Sequence, residues 1–137
     1  MDFEGILNEH NIRVTAMRLL ILKGIEAYGA PFSLEELYNF LVTVDRSTVF
    51  RALTLFEENR LLNSFEDGSG KRKYCFCHKD GDEEHTHHNH YHATCRVCGR
   101  TFCVTTQNTP VVVAPDGFEV ENINYIITGV CEGCKKA

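Results

Sequence analysis

The chain has 137 residues, a formal charge of −5, no tryptophan, seven cysteines and seven histidines. That length suits one domain or two small ones, and 43% hydrophobic with 24% charged residues excludes a disordered or fibrous chain. No apolar run nears the roughly 18–20 residues that span a bilayer, and the acidic start Met1-Asp2-Phe3-Glu4-Gly5 is no secretory signal.

A cytoplasmic location with reduced cysteines is therefore expected, and there metal binding or thiol chemistry outranks a disulfide framework. The cysteines and histidines are unevenly placed. Only His10 precedes Cys75; the other six histidines and all seven cysteines lie between Cys75 and Cys134. The first 77 residues hold nine basic against eleven acidic groups, the remainder five against eight, so neither part announces a nucleic-acid partner through net charge.

The first part reads as helices followed by a hairpin. Thr15 caps a helix with Met17, Leu20, Ile21 and Ile25 on one face, and Gly29 suits its C-terminal end. Ser33-Leu34-Glu35-Glu36 fits a capping box, in which hydroxyl and carboxylate each accept from the other's backbone N–H. Leu34, Leu37, Tyr38 and Leu41 form the buried stripe behind it. Asp45 is an N-cap for a third helix running to about Arg60, and Leu61 to Phe76 reads as two strands joined at Gly68-Ser69-Gly70.

The third helix carries the first functional signal. At 100° per residue Val49, Ala52, Leu53 and Phe56 form its core face, which places Ser47, Phe50, Arg51 and Thr54 on the opposite side. Arginine can pair bidentately with guanine, and an aromatic ring or a threonine methyl packs on the thymine methyl, so this face suits a DNA major groove. Helix, tight link, helix and hairpin is the order of a winged helix-turn-helix, and Lys71-Arg72-Lys73 at the hairpin would contact phosphates. A small helical bundle with a stray exposed phenylalanine is the competing reading.

The second part is metal chemistry. Cys95-Arg96-Val97-Cys98 and Cys131-Glu132-Gly133-Cys134 each present two thiolates from a tight turn, with Gly99 and Gly133 giving the turns their freedom, and together they complete a tetrahedral shell for structural Zn²⁺. Redox-active CxxC pairs are the alternative, though such motifs ordinarily occur singly. Strands over Ala93–Val104 and Phe118–Thr128, with a bulge near Asn122, lead to the cysteines. His88, His90 and His92 alternate and so share one side of an extended segment, while Cys75 and Cys77 share a strand face at the boundary. A mixed site built from both would couple the two parts. Cys103 reads as a strand cysteine with no role.

Taken together, these residues resemble the ferric-uptake-regulator (Fur) family of metal-responsive DNA-binding proteins, with zinc- and peroxide-sensing branches. Arg13-Val14-Thr15-Ala16-Met17-Arg18 is similar to its opening motif and Asp45 to Leu53 to its recognition helix, with Phe50 where tyrosine is usual. His90-Tyr91-His92-Ala93-Thr94-Cys95-Arg96-Val97-Cys98-Gly99 is close to the peroxide-sensing motif. The resemblance implies an α+β protein: a winged-helix DNA-binding domain over residues 1–77, a His-rich hinge and sensing segment over 78–92, and a small α/β dimerisation domain with the four-cysteine zinc over 93–137. It implies a homodimer on a palindromic double-stranded operator, contacted through Arg13, Ser47, Thr48, Phe50 and Arg51. Arg18 and Lys71–Lys73 join that basic face.

The resemblance further implies a regulatory metal, Zn²⁺ or Fe²⁺, held by His90, His92 and a ligand from the boundary strand. Cys77 resembles the cysteine of zinc-sensing members, and Cys75, His78 and His88 are further candidates. A thiolate favours Zn²⁺ over Fe²⁺, so a zinc-responsive repressor of metal-uptake genes is the expected function, with iron or peroxide sensing as the alternative. A zinc-buffering module or metallochaperone is the reading outside that class. No enzyme is expected, because four thiolates close the zinc. Pro31 and Asn63 stand where many members place metal ligands, and Asn89, Tyr91 and Ile123 leave the family's additional site without donors. The usual helix between the CxxC-bearing strands is compressed into Thr105–Asp116, where Pro110 and Pro115 interrupt it.

Overall fold

A computed structural model describes residues 1–68, 70–76, 90–105, 113–120 and 125–136, with only the backbone of residues 90, 91, 104 and 105. The chain divides into two compact units, Met1–Glu83 and Glu84–Ala137.

The first unit begins with α1 (Phe3–Glu9), a helix the apolar periodicity did not announce; Asp2 caps it by accepting from the Gly5 N–H at 3.0 Å. Next comes α2 (Ala16–Tyr28), capped by Thr15 and ended by Gly29 at φ +72°, a left-handed conformation that glycine adopts without the backbone strain an L side chain would bring. The link to α3 (Leu34–Leu41) includes a two-residue strand, β1 (Phe32–Ser33), and the capping box between Ser33 and Glu36 is complete. Helix α4 (Arg46–Glu58) is capped by Asp45. The hairpin of β2 (Asn63–Glu66) and β3 (Arg72–Cys75) then pairs with β1 in the order β1-β3-β2, all antiparallel. Gly68 and Gly70 in the turn both have positive φ.

One continuous apolar core holds this unit together. Ile6, Leu7 and Ile12 pack with Ile21, Leu22 and Ile25 of α2, Leu37 of α3, and Val49, Leu53 and Phe56 of α4. Phe32 of β1 stacks on Tyr74 of β3 at 5.8 Å between centroids, which fastens the hairpin to the helices. The predicted face of α2 needs rotating. Met17 and Leu20 are 44% and 42% exposed, whereas Leu22 is fully buried beside Ile21 and Ile25. α2 packs on α1 as well as α3, and that second neighbour draws the buried arc toward Leu22.

In the second unit β4 (His90–Cys95) lies between β5 (Thr101–Thr105), antiparallel, and β6 (Tyr125–Gly129), parallel. A short helix, α5 (Glu132–Lys135), follows. The single strand expected over Ala93–Val104 is therefore two, interrupted by the Cys95–Arg100 turn. Gly99 holds that turn at φ +77°, with its N–H on the Cys95 carbonyl at 2.9 Å. Of the strand expected over Phe118–Thr128, residues 125–128 lie in β6, while Phe118 and Val120 are exposed and outside any strand. The bulge expected near Asn122 lies outside the described residues. Gly133 sits inside α5 without positive φ, so the second CxxC turn is a helix N-terminus and needs no glycine freedom.

Candidate metal centre and nucleic-acid interface

The two CxxC pairs converge because β4 and β6 run parallel, with Cys95 opposite Gly129 two residues before Cys131. The Arg96 N–H on the Gly129 carbonyl, 2.8 Å, fixes the two knuckles side by side. The sulfurs of Cys95, Cys98, Cys131 and Cys134 all lie within 4.8 Å of one another, and Cys98 and Cys131 are 3.8 Å apart. A tetrahedron with Zn–S bonds of about 2.3 Å has edges of about 3.8 Å, so the cluster fits the ion.

Its electrostatics ask for a cation. The Cys95 sulfur accepts from the backbone N–H groups of Cys98 (3.5 Å) and Cys131 (3.4 Å), and these hold its thiol down at about 6. Cys134, hydrogen-bonded to the Cys131 sulfur and partly desolvated, is pushed up to about 12. Four thiols this close cannot all ionise without a counter-charge, which a divalent metal supplies.

The first unit presents the other surface. Val49, Ala52, Leu53 and Phe56 are buried, while Ser47, Phe50 and Arg51 are exposed, Phe50 by 51%. Thr54, expected beside them, is half-buried and turns its hydroxyl onto the Phe50 carbonyl at 3.0 Å. Thr48 links cap and arginine. Its N–H and hydroxyl donate to the Asp45 carboxylate at 3.1 and 2.6 Å, and its oxygen accepts from Arg51 at 3.4 Å. These bonds hold the Asp45 carboxyl below its usual range and pre-orient the guanidinium. Arg13 is exposed, and Arg18 is half-buried with its guanidinium on the Arg13 carbonyl at 2.8 Å.

The basic hairpin divides. Lys71 and Arg72 are exposed, Arg72 lying 3.6 Å from Glu57. Lys73, expected to reach phosphate, is instead 4% exposed and ion-paired to Glu36 at 2.5 Å. Glu36 also accepts from the Ser33 N–H and the Tyr28 hydroxyl, each at 3.0 Å. Burial raises the Glu36 carboxyl, but these bonds and the lysine charge together bring it below its ordinary value. β3 is covered on both faces from Lys73 onward, with Lys73, Tyr74 and Cys75 all buried, and the lysine charge is tolerated there because Glu36 meets it.

Of the sensing residues, His92 is described and buried, 2% exposed, in the middle of β4. His90 opens β4 opposite Thr105. Cys75 closes β3, is 2% exposed, and is disulfide-bonded, so reduction would have to precede any use as a ligand. Cys77, His78 and His88 lie outside the described residues. Cys103, read from the sequence as a strand cysteine, lies in β5 directly opposite His92. Counting back from the CxxC turn gives that register, but only once the hairpin is known.

A winged helix with an exposed arginine-aromatic face in one unit, and a four-thiolate centre in the other, define a metal-linked DNA-binding protein. Residues 9–124 match the Ferric uptake regulator family. The chain belongs to that family, and so is a metal-responsive transcriptional regulator and not an enzyme. It is similar to the ferric uptake regulation protein of Bordetella parapertussis, 31% identical over 145 residues with 99% of each chain covered. The peroxide operon regulator of Bacillus subtilis is 25% identical over 138 residues, covering 95% of this chain and 89% of its own. A zinc uptake regulator solved in complex with zinc and DNA shares the fold with a TM-score of 0.67 at 20% identity, over 97% of this chain and 90% of that one. Among the described residues no helix is long and apolar enough to cross a membrane.

Proposed function

We propose that this regulator is a zinc-responsive repressor of metal-uptake genes, binding a palindromic operator as a homodimer. The observation that carries DNA binding is the division of α4 into a buried Val49–Leu53–Phe56 face and an exposed Ser47–Phe50–Arg51 face, with the arginine steadied through Thr48 and Asp45. Arg51 and Phe50 read bases, while Arg13, Arg18, Lys71 and Arg72 meet phosphates. The sequence supports zinc as the signal, because cysteines rather than carboxylates stand at the boundary strand before His90 and His92. Cys77 is the preferred boundary ligand, with Cys75, His78 and His88 as reserves. Binding selects the DNA-competent conformer only if the ion is held more tightly there. The His90-Tyr91-His92-Ala93 string and the Bacillus relative keep an iron or peroxide signal as the second reading.

Selection from a random duplex library with Zn²⁺, anaerobic Fe²⁺ or Mn²⁺ tests this. Enrichment of a palindrome with Zn²⁺ is expected, and Arg51→Ala should weaken binding to it by about 1–3 kcal/mol, roughly 5- to 150-fold. Enrichment with Fe²⁺ alone would establish the second reading. No enrichment with any metal would leave a zinc-buffering protein.

A further inference from the structure

We propose that Arg46 is a phosphate-binding residue of the DNA interface, its guanidinium held by Glu35 so that the terminal fork faces one backbone phosphate of the duplex. This assignment rests on the reading of α4 as the DNA-contacting helix, and adds to it one arginine and the carboxylate that positions it.

The place of Arg46 in its helix comes first. It opens α4 directly after the Asp45 cap, and no acidic residue stands in that first turn. A helix N-terminus carries partial positive charge, so a cation is disfavoured there. A local rule broken without a packing gain marks a functional position. Packing offers Arg46 no such gain, because its side chain and that of Glu35 are 57% and 48% exposed, and an exposed ion pair contributes little to stability. The neighbouring glutamate behaves differently: Glu36 turns inward to the buried Lys73, while Glu35 turns outward to Arg46.

The geometry of the pair comes second. Nε of Arg46 donates to the Glu35 carboxylate at 2.5 Å, across 11 positions of sequence. Among the described residues the terminal nitrogens of Arg46 have no partner. A guanidinium held through Nε keeps its end-on fork, two parallel N–H groups that match two oxygens of a phosphate. Anchoring also removes rotamer freedom from a long side chain before DNA arrives.

Placement between the helices comes third. Glu35 stands in the first turn of α3 and Arg46 in the first turn of α4. In a helix-turn-helix the first helix crosses the sugar-phosphate backbone, while the N-terminal residues of the second approach base edges. The pair therefore spans the path that a strand follows between the two helix N-termini. Arg46 is four residues before the exposed Phe50 and so lies at the margin of the Ser47–Phe50–Arg51 face, beside the groove contact. Glu35 adds discrimination, because a duplex docked without engaging Arg46 meets an exposed carboxylate.

The test uses the full-length, zinc-loaded protein and two labelled duplexes of equal length, one enriched by the selection above and one of random sequence. Arg46→Ala should weaken both alike, by about 5-fold at about 0.15 M salt, and make the slope of log K against log salt shallower by about 0.9, the share of one phosphate. Arg46→Lys should restore the slope but only part of the affinity, because an ammonium keeps the charge and loses the fork. Adding Glu35→Gln to Arg46→Ala should recover part of the loss, since the unpaired carboxylate would otherwise face DNA. Helical circular dichroism equal to wild type confirms that each variant is folded. If Arg46→Ala leaves affinity and slope unchanged while Arg51→Ala weakens binding, the role of Arg46 is overturned and the reading of α4 stands. If Arg46→Ala keeps the slope but loses preference at one base pair on reselection, Arg46 reads a base and the phosphate assignment falls. If wild type binds neither duplex, or neither arginine variant changes binding, the reading of α4 fails, and Arg46 with it.

Discussion

The two units solve the problem of staying folded by different means. The first buries a continuous apolar cluster running from Ile6 to Tyr74, with Leu7, Ile21, Leu22, Leu37, Val49, Leu53 and Phe56 almost fully out of solvent. Among the described residues of the second, those buried are His92, Thr94, Cys95 and Thr101, none aliphatic. Ile127, Phe118, Val120 and Val113 are instead 52%, 65%, 46% and 90% exposed. Among the described residues, apolar burial in this sheet does little to offset the entropy of ordering its chain. Metal ligation supplies what packing does not, and in the proposed dimer the exposed apolar residues would find cover. The contrast suits a metal-responsive regulator: one unit held by apolar packing and one carrying a four-cysteine cluster that could hold an ion.

The largest expected effect tests the metal side of that contrast. Structural zinc contributes about 10–16 kcal/mol of binding free energy to small domains. Chelation, or Cys95→Ala, should therefore unfold the second unit and dissociate the dimer while the helical circular dichroism of the first persists. Unchanged hydrogen-exchange protection in β4–β6 after zinc removal would refute the dependence. The complementary variant, Phe56→Ala, empties a large volume from the apolar core and should cost the first unit about 3–5 kcal/mol. Zinc stoichiometry should stay at its wild-type value; if it falls as well, the two units are not stabilised independently.

A smaller effect concerns the polar exception inside the apolar unit. Lys73→Met leaves Glu36 without its cation and should cost about 1–3 kcal/mol in chemical denaturation. Glu36 has a lowered pKa in the folded protein, so its contribution is present above the unfolded value and declines as pH falls through the folded one. Wild type should thus lose stability below about pH 4.5, and Glu36→Gln should flatten that acid limb. Smallest is the cap of α4. Asp45→Ala should cost about 1 kcal/mol and also free Thr48 and Arg51, so DNA affinity should drop even where the fold is intact.

Much of the first unit was legible because its signals are local. Thr15, Gly29, the Ser33–Glu36 capping box and Asp45 act within one helical turn, and all four occupy the helix ends that residue chemistry assigns them. The Val49–Ala52–Leu53–Phe56 stripe is read from period alone. What was misread depends on neighbours: Leu22 replaces Leu20 in the core because α1 packs on α2, and Lys73 turns inward because Glu36 waits across the helix–sheet boundary.

The sequence by itself determined the helix caps, the buried stripe of α4 and the four cysteines that converge, since each follows from side-chain type at short, fixed spacing. Tertiary structure decided the fate of residues whose partners are distant or across a strand. It paired Lys73 with Glu36 over 37 positions, and it set Cys103 opposite His92. Register is a property of two strands together, so one strand's composition cannot reveal which side chain will stand across from a histidine.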